Sequence, residues 1–171
     1  MNGPQAAREL VEYTTWQRAL WQSWFERHGR EALGATTGPH GDGRFPTVGS
    51  LIRHIFSAEL RYLERIAGMP LTDASSVPAD DPAALFEFGN QGRARFVQLL
   101  DTLPPAVWTT RLEFPLMNRT ASASPHKIVL HVLTHEIRHW AQVATLLRLQ
   151  GWSTERFDLL LSPVSGDPIQ L

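Results

Sequence analysis

Apolar residues return along this chain at intervals of three and four positions in four long segments, the period of one helix face. From about Gln5 to Ala32, Leu10, Tyr13, Leu20, Trp21, Trp24 and Phe25 recur at mostly helical spacing between charges, with Gly29 the first glycine beyond that stripe. The stretch from Gly34 to Pro46, dense in glycine and proline, predicts a loop, and it makes His40, with His28 before it, a loop or solvated residue. Thr47 is a good N-cap for a second helix running to about Ala67, where Val48, Leu51, Ile55, Ala58, Tyr62 and Ile66 form the apolar stripe before Gly68 and Pro70 end it. His54 sits at the border of that stripe, able to point toward the core or along its edge.

A connection rich in serine, proline and aspartate, Thr72 to Asp80, leads to Asp81 and Pro82, an N-cap and first-turn signal for a third helix ending near Leu103, before Pro104 and Pro105. Its stripe is Leu85, Gly89, Gly92, Phe96, Leu99 and Leu103. Two glycines there cost about 1 kcal/mol each against alanine. They mark a bend, a close approach of another backbone, or a later start of the helix. From Val107 to Ala123 the pattern is irregular and predicts an extended excursion over one end of the molecule. Ser124 and Pro125 then repeat the cap signature and launch a long helix through Gln150, closed by Gly151, with Thr154 to Leu161 as a last helical turn or two.

Four long amphipathic segments without a strand series predict an all-α fold, a four-helix bundle with a short C-terminal extension. The connections are longer than those of a simple up-down bundle, so at least one crossover is expected. At 171 residues the chain is expected to form one domain over 1–171, large enough to bury a core without disulfide or metal staples. The formal net charge of −1 and a pI near 6.7 offer no basic surface for a phosphate backbone, which excludes nucleic acid as the main partner. There is no cysteine, which removes thiolate ligands, a cysteine nucleophile and a disulfide framework together. Any thiol in the chemistry has to arrive as a substrate or cosubstrate. The N-terminal residues carry no apolar run behind a basic one, and no run of about 18 apolar residues occurs, so the expectation is a cytoplasmic protein without a membrane partner.

The candidate chemistry is carried by histidines. His131, His135 and His139 stand at i, i+4 and i+8 of the last long helix, and His54 lies far upstream. Histidines four apart project from one helix face, and neutral imidazole is the commonest side-chain ligand for zinc, nickel, copper or iron. A metal site is the leading reading; half-buried histidines hydrogen-bonded to backbone or water are the alternative. His135-Glu136-Ile137-Arg138-His139 also satisfies H-E-x-x-H, the helix signature of zinc peptidases. Gln142 and Thr145 occupy the glycine and histidine places of its extended form, Glu155 follows too soon after the helix for a downstream ligand, and no sheet edge is expected, so a peptidase is the lesser reading. Glu136 lies about 100° around the helix from His135 and reads as a polar partner for a neighbouring helix's arginine rather than a general base. Tyr13 and Trp16 read as core rather than a substrate cage. Arg53 and Arg138, beside histidines, read as solvated charge or as binders of an anionic substrate group.

The chain resembles the DinB/YfiT-like family in Tyr13-x-x-Trp16, in the block Phe45-Pro46-Thr47-Val48-Gly49-Ser50-Leu51-Ile52-Arg53-His54-Ile55, and in His131-x-x-x-His135-Glu136-x-x-His139-x-x-Gln142. The resemblance spans about residues 5 to 152. It implies a four-helix bundle, often a homodimer, with a divalent metal, zinc or nickel foremost, held by His54, His135 and His139. His131 is left outside that triad, one turn before His135, as a supporting or substrate-facing group. The family's pattern continues with Arg-Gly-Gln after the last ligand, whereas Trp140-Ala141-Gln142 stand here and Gln142 alone matches. The implied activity is that of a metal-dependent transferase acting on a small-molecule substrate with a low-molecular-weight thiol such as bacillithiol or mycothiol, or a related isomerase or hydrolase. Other members resemble stress- or damage-inducible proteins, so a metal-binding bundle without turnover is the alternative.

Overall fold

Each of the four periodic segments forms a helix, and the last three begin on side-chain caps. In a computed structural model, which describes residues 3–41, 43–164 and 166 of the chain, α1 spans Gly3–Leu33, α2 Val48–Ala67, α3 Pro82–Thr102 and α4 Pro125–Leu149. Thr47 accepts from the Ser50 amide while Ser50 accepts from the Thr47 amide, a reciprocal box that fixes the start of α2. Asp81 accepts from the amides of Ala83 and Ala84, and Ser124 from that of Lys127, each followed by a proline that needs no partner for its nitrogen. Gly29 interrupts α1 with φ 62 and ψ −152. His28, just before the interruption, is therefore helical rather than looped, stacks on Trp24 at 3.9 Å and is half-buried, which corrects the expectation for that residue. His40 is exposed in a single turn, Gly38–Gly41, within the expected loop.

The helices pack in the cyclic order α1, α3, α2, α4, so α1 faces α2 only across a diagonal. Both the α1–α2 and α3–α4 connections therefore cross the bundle, in agreement with the expected crossover. Before α4 the chain makes an antiparallel hairpin, β1 Leu112–Leu116 and β2 Arg119–Ala123, paired in register from Leu112 with Ala123 to Leu116 with Arg119. This corrects the plain extended excursion expected there. One short hairpin containing Pro115 gives no repeated strand signal, and its turn uses Met117 at φ 54, where glycine or asparagine would have announced it. Phe114 from β1 is buried against Tyr62, so the hairpin does cover one end of the bundle. The tail folds back on α1: Trp24 Nε1 donates to the Ser153 carbonyl, Tyr13 Oη to the Phe157 carbonyl, and Leu159–Leu161 form a last turn. Among the described residues no helix is long and apolar enough to cross a membrane.

The core is divided. One cluster gathers Trp21, Trp24, Phe25, Phe56, Phe86 and Trp140, with Trp21 and Trp140 stacked at 5.3 Å; the other gathers Leu60, Leu63, Phe96, Trp108, Phe114 and Val132. Between them each helix contributes one charged side chain: Arg18, Glu59, Arg93 and Glu136, at 2%, 2%, 5% and 1% exposure. Arg18 Nη2 lies 2.8 Å from Glu136 and 3.2 Å from Glu59, while Arg93 Nη2 lies 2.5 Å from Glu136 and 2.6 Å from Glu59. Two cations and two anions alternate, so the buried layer is neutral.

Gly89 resolves the puzzle of the third helix. The helix neither bends nor starts late there; a Cβ on Gly89 would lie 2.7 Å from the Phe56 ring, and the Gly89 carbonyl accepts from Arg18 Nη1 at 2.7 Å. The close neighbour is thus a side chain rather than the backbone expected. Gly89→Ala is predicted to destabilise the protein by about 1–3 kcal/mol in urea unfolding through overpacking. Helix propensity alone would instead stabilise it by about 1 kcal/mol, and that outcome would contradict the ring contact.

Candidate metal centre

His135 and His139 leave α4 on one face because they are a turn apart, and His54 meets them from α2, which packs beside α4. Their Nε2 atoms converge: His54 to His135 is 3.2 Å, His135 to His139 is 3.1 Å, and the three ligand atoms lie within 4.8 Å of one another. Ligand nitrogens about 2.1 Å from a common ion are separated by about 3.0 Å in octahedral and about 3.4 Å in tetrahedral arrangement. The His54–His135 and His135–His139 spacings fall between these limits. His139 is buried, and His54 and His135 are half-buried.

The tautomer of one ring is set by its neighbours. His139 Nδ1 lies 2.8 Å from Gln142 Oε1, an acceptor, so the ring proton sits on Nδ1 and Nε2 presents a lone pair. Gln142 is itself turned by its Nε2, which donates to the His40 carbonyl in the loop before α2. A proton on His135 Nε2 can point directly at only one of its two imidazole neighbours, so hydrogen bonding fully satisfies at most one of the two short contacts. A cation satisfies every lone pair at once, and the donor set therefore fits a metal. Burial, followed by the charges of His139, Arg44, Arg138 and Arg61, pushes His54 down to about 4, and burial with the neighbouring imidazoles and Arg138 pushes His135 down to about 3. Both are neutral at pH 7, the form a metal ligand needs.

The other sequence candidates fall into place around this triad. His131 is exposed, with its ring 5.7 Å from that of His135 and 5.2 Å from that of Tyr62, and lies outside the converging group. Arg138 Nη2 donates to His139 Nε2 at 3.2 Å. Arg53 is a tether, donating from Nη1 to the carbonyls of Ser75 and Val77. Tyr13 is buried, as expected of a core residue, whereas Trp16 beside it at 6.0 Å is half-buried and belongs to neither apolar cluster.

Glu136 points into the charged layer. Its carboxylate accepts from Arg18, Arg93 and Trp140 Nε1, and although burial pushes its pKa up, the two guanidinium groups outweigh this and hold it below the usual carboxylate range. The same balance raises Arg18, whose desolvation is outweighed by Glu136 and Glu59. A carboxylate so buried and so engaged is no general base for a bound ion, which counts against the H-E-x-x-H peptidase reading. Three residues of this layer escaped sequence reasoning, although a signal was present. Arg18 follows Thr14 and precedes Trp21, Glu59 stands between Phe56 and Leu63, and Arg93 between Gly89 and Phe96, each a charge at a core-facing position of its helix.

No curated protein matches this chain. The family model described as DinB family matches residues 1–167, nearly the full length, and the bundle and three-histidine group stand in agreement with it. The chain belongs to the DinB family.

Proposed function

We propose that this chain is a divalent-metal-dependent enzyme in which His54, His135 and His139 hold the ion, zinc or nickel, and that it transfers a low-molecular-weight thiol to a small electrophilic substrate or carries out a related isomerisation or hydrolysis. The observation that supports it most is the convergence of three imidazole nitrogens, with no fourth histidine, aspartate or glutamate joining them among the described residues, beside a cleft of about 500 Å³ that His54 lines. Three protein ligands with space beside them suit a catalytic site better than a closed structural one. When bound, an ion held by neutral imidazoles would keep its full charge and would lower the pKa of water toward neutrality, or favour the thiolate form of a thiol.

The chain's own residues have defined parts in this reading. Gln142 fixes the His139 tautomer, the low pKa values of His54 and His135 keep those rings neutral with one nitrogen lone pair each, and Phe45, stacked on His54 at 4.4 Å, limits the rotation of that ring. With no cysteine in the chain, the attacking sulfur comes from solution, forms its bond to the electrophilic carbon as the leaving group departs, and gives its proton to solvent. The two apolar clusters and the charged layer hold the helices together without any triad histidine, so the fold does not need the ion as a staple. A homodimer in the cytoplasm completes the proposal.

The ligand geometry generates two predictions and the chemistry a third. Gln142→Ala lowers zinc affinity about 10- to 100-fold in competition with a chromophoric chelator, the usual effect of losing a partner behind a ligand. Arg138→Gln binds zinc at least as tightly as wild type, because the guanidinium occupies the lone pair an ion needs; unchanged affinity in the first variant, or tenfold loss in the second, contradicts the assignment. Metal-loaded protein consumes bacillithiol or mycothiol in the presence of a model haloarene electrophile, and chelation or His54→Ala abolishes this while helical circular dichroism persists. Stoichiometric metal with no thiol consumption would return the protein to the non-catalytic alternative.

A further inference from the structure

The cleft beside His54 has an ordered wall and an unbalanced charge. Its floor is one face of α2, where Ser50, Arg53, His54, Ser57 and Arg61 recur at helical spacing. Its wall is the segment 71–75, tied down at both ends. The buried Glu64 carboxylate accepts from the Thr72 amide at 2.8 Å and from the Thr72 hydroxyl, and Arg53 donates to the carbonyls of Ser75 and Val77 at 3.2 and 2.9 Å. Asp73 closes a turn on the Ser75 amide between those ties. A cleft held in this way stands open without a ligand, and at about 500 Å³ it falls in the range of small-molecule sites.

Arg44, Arg53 and Arg61 line the cleft against Asp73, so among the described lining residues three positive charges less one negative leave +2, reduced to +1 by the buried Glu64 carboxylate behind Thr72, in a chain whose net charge is −1. Arg53 spends hydrogen-bond donors on the wall but keeps its charge. Arg44 comes from the segment entering α2, with its guanidinium 5.1 Å from the Phe45 ring, which in turn stacks on His54. Arg61 lies seven residues beyond His54, about 10 Å along the helix. Both are exposed, and they flank the one triad imidazole that lines the cleft. Planar guanidinium forks match carboxylate and phosphate oxygens in pairs.

We propose that this cleft binds an anionic group of the substrate, a carboxylate or a phosphate, with Arg44 and Arg61 as the residues that select it while the reacting part of the molecule lies at the His54, His135 and His139 nitrogens. The selection of substrate rests on the triad being the reactive centre, but the anion site is testable without it. The enzyme then prefers an organic acid or a phosphate ester to a neutral electrophile, which it accepts less well.

Succinate and inorganic phosphate, titrated separately by calorimetry into metal-loaded and into chelated protein, test this. One of the two is expected to bind both forms, to weaken at least tenfold in the Arg44→Gln, Arg61→Gln double variant, and to be unchanged in Arg148→Gln, an exposed control in the last turn of α4. Whichever anion binds names the group. Binding to both forms in a protein that takes up no metal would sustain the anion site and overturn the triad reading alone. Neither anion binding up to tens of millimolar, equal affinity in the double variant, or binding that vanishes on chelation and ignores the arginines would overturn the anion site.

Discussion

Four buried charges hold this structure in register. Each helix inserts one, and each carboxylate of Glu59 and Glu136 lies between the guanidinium groups of Arg18 and Arg93. Moving an ion out of water costs several kcal/mol even in a relaxed protein interior, so the layer is tolerable only when all four members are present and correctly turned. Surrounding groups add to it: the Gly89 carbonyl accepts from Arg18, the hydroxyls of Thr14 and Thr15 accept from Arg93, and Trp140 donates to Glu136. Apolar contacts are non-directional, whereas every slip of the ion layer between them leaves a charge unpaired.

The metal candidate depends on that register. Glu136 is the residue after His135 and a turn before Trp140, so fixing its carboxylate in the core fixes the rotation of α4 and turns His135 and His139 toward α2. Glu59 does the same for α2, five residues after His54 and on a different face. The two imidazole-bearing helices are thus locked together by charges that point away from the imidazoles. Glu136, which a motif search would place at the metal, serves by facing the other way. On the far side of His54, the arginine-lined cleft is held open by a third buried carboxylate, Glu64, acting on the chain through Thr72.

The helices were legible because their signals are local. Thr47, Asp81 and Ser124 announce their helices through side-chain caps and through Pro82 and Pro125, and the apolar period then carries each one to its end. The triad was legible as an i, i+4 pair on one helix, whereas its third member came from resemblance, since nothing local to His54 says which helix it faces. The hairpin stayed hidden because five-residue strands with Pro115 in one and Met117 in the turn carry little pattern of their own. The charged layer stayed hidden because its partners are separated by as many as 118 residues, as Arg18 and Glu136 are. Charges on apolar stripes mark such a layer, but only the packed bundle shows that they meet.

Metal content by elemental analysis, on protein purified without a metal-affinity tag, tests the three-histidine site most directly when wild type is compared with His54→Ala and His135→Ala. About one divalent ion per chain, lost from both variants while their helical circular dichroism is kept, is the result expected if two helices share one site. Metal-free wild type, or an ion retained after His54→Ala, would contradict it.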